Sequence, residues 1–254
     1  MRLRLFSALL TTAVLCGATI TMAMATGGGR ADDPKGDPAA FALLKEAHDK
    51  RESFPPGFSG LTADVLVNDN GTEVKGTLTY TSAGDVKLSL TDATKADEDW
   101  AHEQLESALA HRRSDDFAHG DGSHALTFVQ DDHSPLGRQI ALNDRMKSFY
   151  RISDGQIMEV TRSMGNMRFT ITMLENTFVK GGKYLPAYFV VTYFDAGTGA
   201  ITKVDAYTDK FARVSNAWIP SSRRVVTAEN GGFTTRSFAL TNIHLLGTSA
   251  SAKR

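Results

Sequence analysis

From Leu126 to Leu246 the chain is a series of short alternating segments with no helical stretch between them. Turn residues break the series about every 8–12 residues, the spacing of antiparallel strands. That pattern is the strongest constraint on the fold. Parallel strands need long crossover connections, usually helices, and none is available here. The candidate strands are Leu126–Gln130, Gln139–Leu142, Ser148–Ile152, Gln156–Ser163, Arg168–Glu175, Leu185–Phe194, Ile201–Asp209, Arg223–Glu229 and Phe233–Leu246. Asp154-Gly155, Gly197-Thr198-Gly199 and Asn230-Gly231 separate several of them. Upstream, Leu61, Ala63, Val65 and Val67 alternate with their neighbours up to Asn68-Asp69-Asn70-Gly71, a hairpin turn because Asn-Gly accepts positive φ at low cost. Val74, Gly76, Leu78 and Tyr80 answer on a second strand, and Val86, Leu88 and Leu90 on a third. A sheet of about a dozen strands must curl or close.

Two helices are expected before the long strand series. Asp37-Pro38 starts the first: Asp caps free amides and Pro is tolerated at the first helical position. Phe41, Leu44, His48 and Arg51 follow at helical spacing, Leu43 and Ala47 widen the stripe, and Pro55-Pro56-Gly57 ends it. The second runs from about Thr94 to Arg113, with Ala101, Leu105, Ala108, Leu109 and Arg112 on one face. The expected class is α+β: a long curved antiparallel sheet, a half-barrel, with two main helices near its N-terminal end. Helices over the concave side would leave an apolar groove.

The first 25 residues read as a secretory signal. Arg2 and Arg4 precede the apolar run Leu5 to Leu15, and Ala23-Met24-Ala25 supplies small residues for cleavage after Ala25. Cys16 follows Leu15, where a lipoprotein signal needs a small residue. Residues 26–36 read as a flexible leader, 37–247 as a single α+β domain and 248–254 as a disordered tail. Signal removal takes two arginines and the only cysteine, leaving 26 basic against 29 acidic residues. Such a chain has no disulfide, no thiolate nucleophile and no overall basic field for nucleic acid. The most apolar later stretch, Tyr184 to Phe194, has 11 residues and contains Pro186, against about 20 for a spanning helix. An exported protein, periplasmic or secreted, is expected.

Several clusters carry chemical interest. All five methionines after the signal, Met146, Met158, Met164, Met167 and Met173, fall within 28 residues. Methionine is unbranched and polarisable, so it lines pockets for variable apolar ligands, and it also fills cores. Arg162 and Arg168 flank the Met164-Gly165-Asn166-Met167 turn, where they would meet a ligand's anionic group or form salt bridges. His102, His111, His119, His124 and His133 form a His-rich region, but its spacing fits no strong metal signature. His102-Glu103 resembles half of a zinc-protease helix, with Glu106 where the second His would stand. There is no Gly-x-Ser-x-Gly elbow and no phosphate-binding glycine loop. Nothing calls for a cofactor or a bound metal.

His111-Arg112-Arg113, Pro135-Leu136-Gly137-Arg138, Tyr150-Arg151, Arg162-Ser163-Met164-Gly165 with Arg168-Phe169-Thr170-Ile171, and Asn242-Ile243 with Leu245-Leu246 resemble an exported bacterial family, the domain of unknown function 3386. The resemblance covers about Asp37 to Leu246 and implies no established activity. In order of elements the chain is also similar to outer-membrane lipoprotein carriers: a helix, then Phe58-x-Gly60-x-x-Ala63, Gly76-x-Leu78-x-Tyr80, and late Trp218-Ile219-Pro220. That likeness implies a half-barrel with helices over an apolar cavity. The second helix and the His-rich loop depart from the carrier pattern.

These features point to a non-enzymatic exported protein that holds a lipid, a lipidated segment or another apolar ligand. Its groove would be lined by Met158, Met164, Met167, Phe169 and Met173, with Arg162 and Arg168 nearby. An adaptor module of the cell envelope with a filled interior is the alternative, and a metal-dependent hydrolase using the His-rich region is a second.

Overall fold

The structure, a computed structural model, describes residues 36–247. The expected export signal and tail lie outside the described residues. The elements are α1 (Pro38–Asp49), β1 (Gly60–Asp69), β2 (Thr72–Thr81), β3 (Val86–Leu90), α2 (Lys95–Ala110), β4 (Leu126–Phe128), β5 (Arg138–Leu142), β6 (Phe149–Ser153), β7 (Gln156–Met164), β8 (Met167–Phe178), β9 (Tyr184–Asp195), β10 (Ile201–Val214), β11 (Ala217–Glu229) and β12 (Gly232–Leu245). All twelve strands form one antiparallel sheet in the order β3-β2-β1-β12-β11-β10-β9-β8-β7-β6-β5-β4. The α+β class with two main helices is therefore the one expected. The sheet stays open, with β3 and β4 as its edges. Every neighbour pair is a sequence hairpin except β1 with β12, which joins the two ends of the strand series.

Local chemistry explains the elements. Asn70 and Gly71 take φ of 49° and 99°, the left-handed pair that a two-residue hairpin demands. Thr94 and Asp97 form a reciprocal capping box on α2, and the Asp37 carboxylate accepts from two amides at the start of α1. Just before α1, Gly36 bridges to Leu126, and a Cβ there would lie 2.3 Å from the Leu126 carbonyl oxygen. Only glycine permits that approach.

The helices cover different parts of the sheet. α1 buries Ala40, Leu44 and Ala47 against Leu126, Ile140, Tyr150 and Ile152. α2 buries Ala101, Leu105, Ala108 and Leu109 against Leu61, Val65, Val67, Ile219 and Phe238. Between them a third, smaller cluster sits on β8 and β9, formed by Phe169, Val191 and Tyr193 with Met164, Met167, Ile171, Phe189 and Tyr207 packed against it. Three clusters on one sheet, two of them under helices, define where a site can lie.

One strand begins six residues earlier than the sequence suggests: β11 starts at Ala217, not Arg223. Pro220 has no amide to donate to the ladder. A bulge absorbs it: Lys210 faces Ser222 while Phe211 faces Pro220, so one extra residue is accommodated.

Candidate functional site

Register decides which side chains share the inner face of the sheet. Residues directly opposite each other point the same way. One row runs Arg162, Phe169, Tyr193, Lys203 across β7 to β10; the next runs Val160, Ile171, Val191, Asp205. Met164 faces Met167 at the β7–β8 turn, and Met173 faces Phe189, which faces Tyr207. Thus Met164, Met167, Phe169, Met173 and Arg162 stand on one face. Met158 is the extra residue of a bulge, since Ile152 faces Ile157 while Arg151 faces Glu159. Arg168 alternates to the other face, where its guanidinium lies 4.6 Å from the Phe194 ring centroid.

The strip is apolar on the β7–β8 side and ionic towards β11. Arg162 donates to the Tyr150 hydroxyl at 2.6 Å. Lys203 pairs with Asp205 at 2.9 Å. Arg223 clamps Asp209 through two bonds of 2.8 and 2.7 Å, and its Nη1 reaches Gln104 of α2. Phe189 and Tyr207 stack at 4.5 Å beside it.

Two adjoining clefts lie elsewhere, at the seam where the end of α1, the segment 50–58, the end of α2 and the start of β9 meet. Backbone bonds fix this seam. The Glu52 amide donates to the Tyr184 carbonyl at 2.8 Å, and the Tyr184 amide to the Lys50 carbonyl at 2.9 Å. The Phe54 amide donates to the Arg112 carbonyl at 2.6 Å, and the Arg112 guanidinium returns a bond to the Glu52 carbonyl. Buried Tyr184 donates from its hydroxyl to the Ala47 carbonyl and accepts from the Ile157 amide.

The smaller cleft, about 280 Å³, is polar and is lined by His48, Arg51, Glu52, His111 and Asp115 among others. The His48 ring sits between two carboxylates, Nδ1 3.2 Å from Asp49 and Nε2 3.1 Å from Asp115. Arg51 donates to the same Asp115 oxygen at 2.9 Å. The His48 hydrogen bond, aided by the charge of Arg51, holds the Asp115 carboxyl at about 2. His111 Nδ1 lies 2.7 Å from the Ser107 carbonyl, so Nδ1 carries the proton and Nε2 keeps its lone pair.

The Asp115 interaction is lost in acid, which weakens the protein there. A depressed folded-state pKa stabilises above the unfolded value and is lost as pH falls through the folded one. For Asp115 that window is pH 4 to 2; its side chain is 61% exposed, so the contribution is about 1 kcal/mol after solvent screening. Asp115→Asn is expected to lower the urea midpoint at pH 7 and to match the parent near pH 2. A gap that persists at pH 2 would contradict this assignment.

The larger cleft, about 590 Å³, is lined by Phe54, Pro55, Pro56, Gly57, Phe58, Tyr80 and Ser82, and shares Ser53, Arg113, Ser114 and Lys183 with the smaller one. None of the seven residues expected to line a groove borders either cleft. Phe169 and Tyr193, 8% and 9% exposed, are packed into the sheet face there, with Met164, Met167 and Ile171 partly buried around them. Of the His-rich region His111 alone borders either of these two clefts, and its companion there is His48 of α1. Among the described residues no group of three or more His, Cys, Asp or Glu stands close enough to hold a metal ion. No helix among them is long and apolar enough to cross a membrane.

A family model described as "Protein of unknown function (DUF3386)" matches residues 36–246. The chain belongs to this family. No curated protein matches this DUF3386 member. Among solved structures it is similar to a Vibrio parahaemolyticus domain described as an outer membrane lipoprotein-sorting protein, with 9% identity, a TM-score of 0.34, and 85% of this chain and 94% of that one covered. A LolA superfamily protein from Nitrosomonas europaea gives 9% identity and a TM-score of 0.28, covering 82% and 94%. MucB gives 13% identity and a TM-score of 0.26, covering 81% and 94%.

Proposed function

We propose that this is an exported, non-enzymatic binding protein that takes an acyl or other apolar chain against the inner face of β7 to β9. The observation that carries the reading is the apolar strip between the two helix-covered cores. Met164, Met167 and Ile171 remain only partly buried there around Phe169. Half-exposed thioethers adapt to a guest at small cost, because methionine has three soft torsions and no branch. Burial of the guest supplies about 25 cal/mol per Å² of apolar surface, so binding needs no bond-breaking chemistry. Arg162, held on the same face by Tyr150, offers a charge to an anionic end. Export rests on Arg2, Arg4, the run Leu5 to Leu15 and Ala23-Met24-Ala25.

Extraction and mass spectrometry of the purified protein, with a fluorescent fatty-acid titration, tests this reading. Bound lipid and saturable uptake are expected, with uptake lost in Met164→Glu/Met167→Glu. No lipid and no saturation would refute it. An adaptor role is the second reading, favoured by Leu174 and Phe178 of β8, which are 64% and 61% exposed.

A further inference from the structure

The larger seam cleft has a composition unlike the rest of the surface. Its wall is carbon: Phe54 and Phe58 stack at 4.0 Å, and the Tyr80 ring lies 6.2 and 6.4 Å from them. Its charges are one-sided, since Arg113 and Lys183 line it and no carboxylate does. Among the described residues neither cation has an ion-pair partner, whereas Arg51 next door is held by Asp115. Tyr80 is 1% exposed, yet its hydroxyl has no hydrogen-bond partner. A buried hydroxyl left unpaired is unfavourable, and a ligand acceptor would relieve it. Burial pushes the Tyr80 pKa up, so the group is a neutral donor at pH 7.

We propose that this cleft binds a small organic carboxylate with an aromatic or short apolar body. The carboxylate takes a hydrogen bond from the Tyr80 hydroxyl and charge-assisted bonds from Arg113 and Lys183, and the body packs on the Phe58 side of the aromatic wall. A guanidinium fork, an ammonium and a phenol provide donors for both carboxylate oxygens. The volume suits a small ligand. The site is separate from the methionine strip, since no residue of the strip borders it.

Calorimetric titration of the full chain with 3-phenylpropionate, 3-phenylpropanol and inorganic phosphate tests the proposal. Saturable binding of the carboxylate is expected, with the alcohol and the phosphate weaker by about tenfold or more. Arg113→Ala/Lys183→Ala, which alters exposed or half-buried side chains, weakens the carboxylate by about tenfold. Tyr80→Phe weakens it several-fold while raising the melting temperature of the unliganded protein, because the hydroxyl removed is buried and has no partner there. Equal binding of the alcohol or phosphate, or affinity untouched by these substitutions, would overturn the site. Met164→Gln/Met167→Gln leaves phenylpropionate affinity intact; a loss there would move the ligand to the strip and overturn it as well. Should the fatty-acid titration fail while phenylpropionate still binds, only the strip reading falls.

Discussion

Asp209→Ala is expected to destabilise the protein by about 3–5 kcal/mol, a large share of the roughly 5–15 kcal/mol that holds an ordinary domain together. The size follows from what is left behind. Arg223 is 5% exposed and gives two short hydrogen bonds to Asp209. Its remaining contacts are Gln104 and Ser107, at 3.3 and 3.4 Å, and the faces of Tyr207 and Phe189, 5.1 and 5.8 Å away. None of these neutralises a guanidinium. Removing the carboxylate strands a charge in low dielectric, where its desolvation is no longer offset. The contrasting pair is Lys95–Asp99, 79% and 65% exposed on α2, where Asp99→Ala is expected to leave stability nearly unchanged because water screens both charges. Asp209→Leu/Arg223→Met removes both charges and is expected to recover most of the loss. Urea unfolding measures all three. A loss under about 1 kcal/mol in Asp209→Ala would mean that Arg223 reaches water, and that α2 is not held to the sheet by this pair.

That ion pair also shows where sequence reading stops. The hairpins were legible because Asn-Gly and Asp-Gly turns constrain two adjacent strands by themselves, as at Asn70-Gly71 and Asp154-Gly155. The two helices were legible from capping residues and apolar spacing, though α2 ends at Ala110 and Arg112 turns inward to meet the Glu52 carbonyl. Face assignment was partly legible. Strict alternation through the tight Met164 to Met167 turn puts Arg162 opposite Phe169 and sends Arg168 to the other side. Arg223 and Asp209 are 14 residues apart on paired strands, but the bulge at Pro220 shifts their register, and a bulge leaves no reliable mark in one sequence. The seam was hidden more deeply. Its walls come from segments around 48–58, 80–82, 111–115 and 183, which have no local reason to meet. The available signal was His48 of α1 and Arg51 two residues past its end, at positions the sequence spacing puts on the apolar stripe: polar groups at core-facing positions need partners, and the structure supplies Asp115.

Tyr184 holds those distant segments together, and its removal is the second large effect expected. The ring is 2% exposed, and its hydroxyl ties the Ala47 carbonyl of α1 to the Ile157 amide of β7 while its backbone pairs with Lys50 and Glu52. Tyr184→Ala should cost about 3–5 kcal/mol through a cavity plus two unpaired backbone groups. Tyr184→Phe keeps the ring and loses only the hydroxyl, so about 1–3 kcal/mol is expected. The pair of variants separates packing from hydrogen bonding, and urea unfolding with amide exchange at Ile157 reads both. Exchange at Ile157 should rise in each variant, because its amide loses the same acceptor. If Tyr184→Phe leaves both stability and that exchange unchanged, water replaces the hydroxyl, and the end of α1 is then held by the backbone bonds of residues 50–54 alone.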